Sequence, residues 1–421
     1  MQRPPGAEHL REGAVRLQAL GFALWLAVSL VLVCGARPRV ARADDAPNAS
    51  RQVELLVFGP GDDVFGRYGH AGIRVLGPGD ADRIFNFGIT DWTKPNYVLD
   101  FLTGRVRFWG NVKPWERVRK SYVKWDRTIL RYPLDLSPAQ VDGMVSRMEH
   151  DVLPENREYV YDTFRDNCAT RLRDYIDAAT EGAVRRSLAA EPLGNSYRED
   201  VRVAFAAFPG LLLLTEIIPG LPLDAPRSTW ERMYRPAVLG DALTRVRLMR
   251  DGVERPLTGA PRVDRQRQGQ EPLSGWPNLG QALLLGLAAG LVGVGFWSRR
   301  AGARQRATRA LAWWAVSMLL SLLLTVVALG TIWPDMRENW LLLALPPTDL
   351  AFLWPLRAVK RGLPVPMPRL FQGYLVFRVV TVLTLAGLAP VVSLFAGPLP
   401  PRLVALAGLW LVALALEPSR R

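Results

Sequence analysis

The sequence predicts an α+β domain followed by an all-α transmembrane helical region, and three observations carry that fold class. Apolar residues are unevenly spread over the 421 positions, with long runs from about residue 280 onward and mixed charge in the middle. Strand-like runs precede helical ones in the first half. Arginines crowd the ends of the apolar runs, as in a membrane topology. The divisions that follow are a leader at 1–43, a domain at 44–250, a linker at 251–275, and a transmembrane domain of about five helices at 276–421.

Each element has a local reason. Residues 23–33 form an apolar run behind Arg11 and Arg16, and Ala41-Arg42-Ala43 is a small-x-small cleavage pattern, so 1–43 reads as a secretory signal peptide. A signal anchor is the alternative, because the stretch before Ala43 is rich in arginine. Val33, directly before Cys34, disfavours lipidation of that cysteine. Either way the following domain is exported, and loss of Cys34 leaves Cys168 a lone thiol, without a partner for an intrachain disulfide.

Strands are expected at 53–58, 71–75, 83–87 and 128–132, bounded by Gly, Pro and Asp. Ser137-Pro138 opens a helix through Val141, Met144 and Met148, and a second helix starts near Asp166-Asn167 and runs through Leu172, Tyr175 and Ile176. Prolines 256, 261 and 272, among Gly and Gln, give 251–275 its linker composition. Spans are expected at 279–297, 311–332, 340–356, 379–395 and 403–416, the third interrupted by Pro346, Pro347 and Asp349.

Arginine clusters at 299–309, at 357–369 (with Lys360) and at 420–421 alternate with charge-poor connections, which places the 44–250 domain outside the cytoplasm. The net charge of +14 therefore reports topology; no nucleic-acid motif accompanies it. Arg378 is expected to snorkel to the inner interface, and Asp349 is the better intramembrane functional site. The apolar stretch 211–218 suits either a lipid surface or a buried core.

Two residues carry chemistry. His70 follows glycines at a strand start, where a side chain faces a cleft; His9 precedes the cleavage pattern and His150 ends a charged helix. Cys168 falls in the first turn of the helix capped at Asp166 or Asn167, where the positive end of the helix dipole favours thiolate and an imidazolium alongside favours it further. The opposing readings are a structural histidine and a cysteine buried as a small hydrophobe. No metal site and no cofactor motif can be assembled. Arg171 and Asp174 read as a surface ion pair.

Phe58-Gly59-Pro60-Gly61-Asp62, Gly69-His70-Ala71-Gly72-Ile73-Arg74-Val75, Phe85-Asn86-Phe87-Gly88 and Asp166-Asn167-Cys168-Ala169-Thr170-Arg171-Leu172-Arg173-Asp174 together resemble the Lnb N-terminal periplasmic domain family. The likeness extends through Leu223-Asp224 and Thr229 to Pro236. Residues 338–343 and 346–350 are similar to an Asn-Leu-Leu … Asn-Pro-Leu membrane segment of full-length members, with Pro346 where Asn is usual. The His-first, Cys-later order also resembles circularly permuted NlpC-type, papain-like folds, including the lecithin retinol acyltransferase group.

The resemblance implies a lipoprotein N-acyltransferase of the bacterial inner membrane, multi-pass, with its catalytic domain in the periplasm. Cys168 would take an acyl chain from a phospholipid as a thioester and pass it to a lipoprotein amine, with His70 as base. A third polar group would orient the imidazole: Asn86, with Asp82 and Asp91 as alternatives. The rival readings are a peptidoglycan-directed thiol peptidase or amidase and a non-enzymatic lipid- or partner-binding membrane protein. Oligomeric state is not legible.

Overall fold

The structure is a computed structural model that describes residues 51–77, 80–250, 252–276, 278–365, 368–388 and 399–417. The expected leader, with His9 and Cys34, lies outside the described residues.

A mixed α+β domain comes first. Strands β1 (Gln52–Phe58), β2 (His70–Gly77), β3 (Asp80–Ile89), β4 (Arg107–Pro114), β5 (Ile129–Pro133), β6 (Glu158–Val160) and β7 (Arg262–Arg265) form one antiparallel sheet. Their order is β7-β5-β1-β2-β3-β4-β6. β1 is apolar at nearly every position because both faces are covered. On one face Leu55 and Val57 share a core with helices α3 (Pro138–Asp151) and α4 (Cys168–Ala179); on the other Leu56 and Phe58 meet α2 (Trp115–Lys124).

The expected helix starts are present with their caps. Ser137 accepts from the Gln140 N–H and Gln140 returns a bond to the Ser137 N–H, with Pro138 in the first turn. Asn167 accepts from the N–H groups of Ala169 and Thr170, and its own N–H donates to the Thr170 hydroxyl.

Residues 251–275, expected as a linker, are instead built into the domain. Val253–Pro256 pairs with Arg247–Arg250, Leu257 is fully buried, and β7 closes the sheet edge against β5. The polar composition that suggests a linker is that of a charged edge strand. Asp264 pairs with Arg119 and Arg265 with Asp126.

Among the described residues, four helices long and apolar enough to cross a membrane follow: α6 (Leu279–Ser298), α7 (Ala303–Gly330), α9 (Pro368–Leu388) and α10 (Leu399–Leu416), with a shorter helix α8 (Leu353–Arg361) between the second and third. The last, short in sequence, is the most buried of the four because it packs against the other three. Glycines make that possible: a Cβ at Gly408 would collide with the Trp313 ring, and one at Gly295 with Trp410.

The expected third span is broken into a helical turn Leu341–Ala344, a 3₁₀ turn Pro347–Phe352 and α8. Pro346 and Pro347 remove two donors and free the carbonyls before them. Arg378 repairs the break: its guanidinium donates to the carbonyls of Leu343 and Ala344 and forms a bidentate pair with Asp349 at 2.6 and 3.0 Å. Arg378 thus does not snorkel, and Asp349 is a structural counter-ion that also accepts from the Tyr374 hydroxyl.

The domain is seated on this bundle. Asp335, buried after α7, pairs with Arg165, three residues before Cys168, at 2.5 and 3.0 Å. Asn339 donates to the carbonyls of Ile217 and Ile218. The Thr103 carbonyl, just past α1 (Tyr97–Leu102), accepts from the Ile332 N–H at 3.0 Å. Of the apolar stretch 211–218, most of which lies in α5 (Pro209–Ile217), Leu213 and Ile217 pack against α6 and α10, so the stretch is a seat on the membrane helices.

Candidate active site

His70 is the first residue of β2, opposite Phe58 at the end of β1. The loop 59–69 returns the chain to that end of the sheet through Gly69, whose φ of +82° and close approach to the Phe58 carbonyl admit no side chain. The imidazole lies nearly parallel to the rings of Phe58 (6.0 Å between centroids) and Tyr122 (6.3 Å). Asn86, buried in β3 on the same face, hydrogen-bonds the ring and favours its protonated form. Asn86 is a strand residue paired with Gly72 and Asn111. Asp82 is held by Arg74 and Asp91 by Thr93, so neither alternative serves the imidazole.

Cys168 is the first helical residue of α4, a free and half-buried thiol. A bulge in β3 after Asn86 makes room for it: a Cβ at Gly88, where φ is +87°, would lie 3.2 Å from the Cys168 Cβ. The backbone N–H dipoles of Ala71, Ala169 and Cys168 favour the thiolate and partly offset burial. Ala71, one of the backbone groups that act on the thiol, directly follows His70. Neither group counts the other among its hydrogen-bond partners, an arrangement that substrate binding commonly tightens.

The electrostatics differ from the sequence expectation. Burial pushes the thiol up to about 11, against the smaller pull of the three N–H groups and of Arg127. Burial, helped by the Arg127 charge, lowers the imidazole to about 4. The resting pair is therefore thiol and neutral imidazole rather than thiolate and imidazolium. Desolvation wins because both charged forms must leave water, while the helix terminus supplies only a partial charge. A neutral imidazole is the form that can accept the thiol proton.

Arg127 is the site residue that sequence reasoning missed. Its N–H bonds the Tyr122 carbonyl as the chain turns back after α2, through Asp126 at φ +48°, and its guanidinium lies over the Tyr122 ring at 5.0 Å. Nothing in Trp125-Asp126-Arg127 distinguishes it from a solvated turn. Of the remaining expectations, His150 is exposed beside Asp151, Arg171 pairs with Asp166 rather than Asp174, and Asp174 pairs with Arg173.

An aromatic path leads from the site to the membrane helices. Tyr161, packed like Cys168 against the main core, stacks on Phe108, which meets Trp92; Trp92 touches Phe65 and Tyr97. Tyr97 and Phe101 of α1 continue it to Trp333 beyond α7. Phe65, Val98 and Leu99 along this path are exposed.

Comparison with known proteins agrees with this division. Residues 39–202, which include His70, Asn86, Arg127 and Cys168, match the family model described as the Lnb N-terminal periplasmic domain. The match ends at residue 202, before the stretch 223–236 to which the sequence likeness is expected to extend. No curated protein and no solved structure matches the chain. The chain is therefore a membrane protein carrying a periplasmic domain of the Lnb N-terminal periplasmic domain family.

Proposed function

We propose that the protein is a cysteine-dependent acyltransferase of the bacterial inner membrane that N-acylates lipoproteins from a phospholipid donor, on a circularly permuted papain-like domain. The observation that carries this reading is the constellation of Cys168, His70 and Asn86 in a domain seated on apolar helices, with an aromatic path running from the thiol toward the bundle. A substrate that resides in the bilayer suits that path better than a soluble peptide does.

In the first step His70 takes the thiol proton as Sγ attacks the ester carbonyl. The carbon–oxygen bond then breaks, the glycerol oxygen receives the proton from the imidazolium, and lysophospholipid leaves. In the second step a lipoprotein α-amine attacks the thioester, its proton passes to His70, and the thiol is restored as the carbon–sulfur bond breaks. The Ala169 and Ala71 N–H dipoles, which favour the thiolate at Cys168, also stabilise negative charge developing beside it.

The test is intact-mass spectrometry of the full-length protein after incubation with phospholipid. The expected result is one added acyl chain on Cys168 that hydroxylamine removes and that is missing from Cys168→Ala. Unchanged mass in protein whose Cys168 remains alkylatable would overturn the reading.

A further inference from the structure

Among the described residues, the buried arginines of the periplasmic domain follow a rule with one exception. Arg74 pairs with Glu54 and Asp82, Arg173 with Asp174, Arg198 with Asp224, and Arg202 with Glu216. Arg67 has no carboxylate but donates to the carbonyls of Ala204, Gly61 and Leu273. Arg127, only 7% exposed, has no carboxylate within ion-pair distance and a single carbonyl. Its Nε donates to the Gly59 carbonyl at 2.7 Å, while Nη2 is buried without a partner. A buried cation without a counter-ion is costly, and the chain avoids that cost elsewhere in the domain.

Three features give this cation a ligand rather than a structural task. The guanidinium is held at one edge, by Gly59, and on one face, by Tyr122, so the outer donors are fixed in direction. Beside it Gly61 keeps open a narrow gap between Nη1 and the Asp63 carboxylate: a Cβ there would stand 3.7 Å from Nη1 and 3.1 Å from Asp63 Oδ2. The position is also beside His70, because the Tyr122 ring under the guanidinium at 5.0 Å stacks on the imidazole at 6.3 Å.

We propose that Arg127 is an anion subsite of the reaction centre, and that the anion it takes is the phosphate ester of the acyl donor. A fork of two outer donors matches two phosphate oxygens, and the bound phosphate supplies the counter-ion that the fold withholds. Holding that group positions the neighbouring acyl ester against Sγ. This inference rests on the acyltransferase reading for its substrate, but binding can be measured without any transfer.

The experiment uses full-length protein in micelles of a neutral detergent and reads the rate at which iodoacetamide alkylates Cys168. The probes are inorganic phosphate, a diether phosphatidylglycerol that has no ester to transfer, and the uncharged diether glycerol with the same chains. Phosphatidylglycerol is expected to slow alkylation of the wild type by about fivefold or more, the uncharged lipid by less than about twofold, with the difference lost in Arg127→Gln and partly kept in Arg127→Lys. Protection by inorganic phosphate as well shows that the phosphate group alone suffices; protection by the lipid only assigns the subsite to the headgroup in its lipid context.

Equal protection by charged and uncharged lipid, or none by any probe, overturns the proposal on the wild type alone, whatever the folding of the variants. Undiminished protection in folded Arg127→Gln also overturns it. If phosphatidylglycerol protects while no thioester ever forms, the subsite stands and the acyltransferase reading fails; if thioester forms without phosphate-dependent protection, only the subsite fails.

Discussion

The periplasmic domain and the membrane bundle each bury an arginine, and the two are treated in opposite ways. In the bundle, Arg378 meets a bidentate carboxylate and two freed carbonyls, so its charge is matched and its donors are occupied. In the domain, Arg127 keeps an unpartnered nitrogen beside a thiol and an imidazole that burial holds neutral. The satisfied cluster holds a broken helix together; the unsatisfied one is poised to receive something. Buried polarity alone does not mark function, whereas unmet polarity beside a nucleophile does.

Substitutions can break this contrast from either side. The largest effect belongs to Cys168→Ala, which should abolish thioester formation while leaving the protein folded. A variant that retains acyl exchange would remove the nucleophile from the account. His70→Ala should slow acylation by about 10²–10⁴-fold, the usual worth of a general base, and Asn86→Ala by about tenfold through the imidazole it orients. Rates compared at equal folded protein check both.

On the other side, Asp349→Leu or Arg378→Leu alone should destabilise the bundle by about 3–5 kcal/mol, and the double substitution should recover part of that loss. Thermal unfolding in detergent measures it, and additive losses would mean that the pair is not coupled. A smaller effect is expected of Asn167→Ala, about 1 kcal/mol or somewhat more, because its cap is joined by donation to the Thr163 and Tyr234 carbonyls.

The pH dependence sharpens the comparison further. With the thiol at about 11, thiolate is about one part in ten thousand at pH 7, so alkylation of Cys168 should climb tenfold per pH unit and level off only near 11. With the imidazole at about 4, the base stays competent well below the ordinary histidine range, so the acid limb of the acylation rate should fall near pH 4. A plateau in alkylation by pH 8 would show a stabilised thiolate and refute the neutral pair. For stability the signs are fixed as well. The raised thiol favours folding below its unfolded value and loses that contribution as pH rises toward 11; the depressed imidazole loses stability as pH falls from about 6.5 toward 4.

Much of the fold was legible because its signals are local. β1 to β3 announce themselves by β-branched runs between glycines, and the two capped helices by Ser137-Pro138 and Asn167. The pairing of Asn86 with His70 followed from adjacent strands. What escaped depends on contacts far apart in sequence. Arg262–Arg265 resembles linker until β5 is beside it, Arg378 resembles a snorkelling residue until Asp349 faces it, and Arg127 is an ordinary turn residue until Tyr122 and Gly59 enclose it. The thiol was misjudged for a related reason: the helix terminus is visible in sequence, whereas the depth of burial that outweighs it is not.

The central claim is that Cys168 passes an acyl chain to a lipoprotein amine, and its most direct test is mass spectrometry of a lipoprotein's N-terminal peptide. The peptide would come from cells depleted of their own N-acyltransferase and expressing either this protein or Cys168→Ala at equal levels. N-acylated peptide with the wild type and free amine with the variant is the result this account expects. Free amine in both, with the wild-type protein folded and in the membrane, would contradict it.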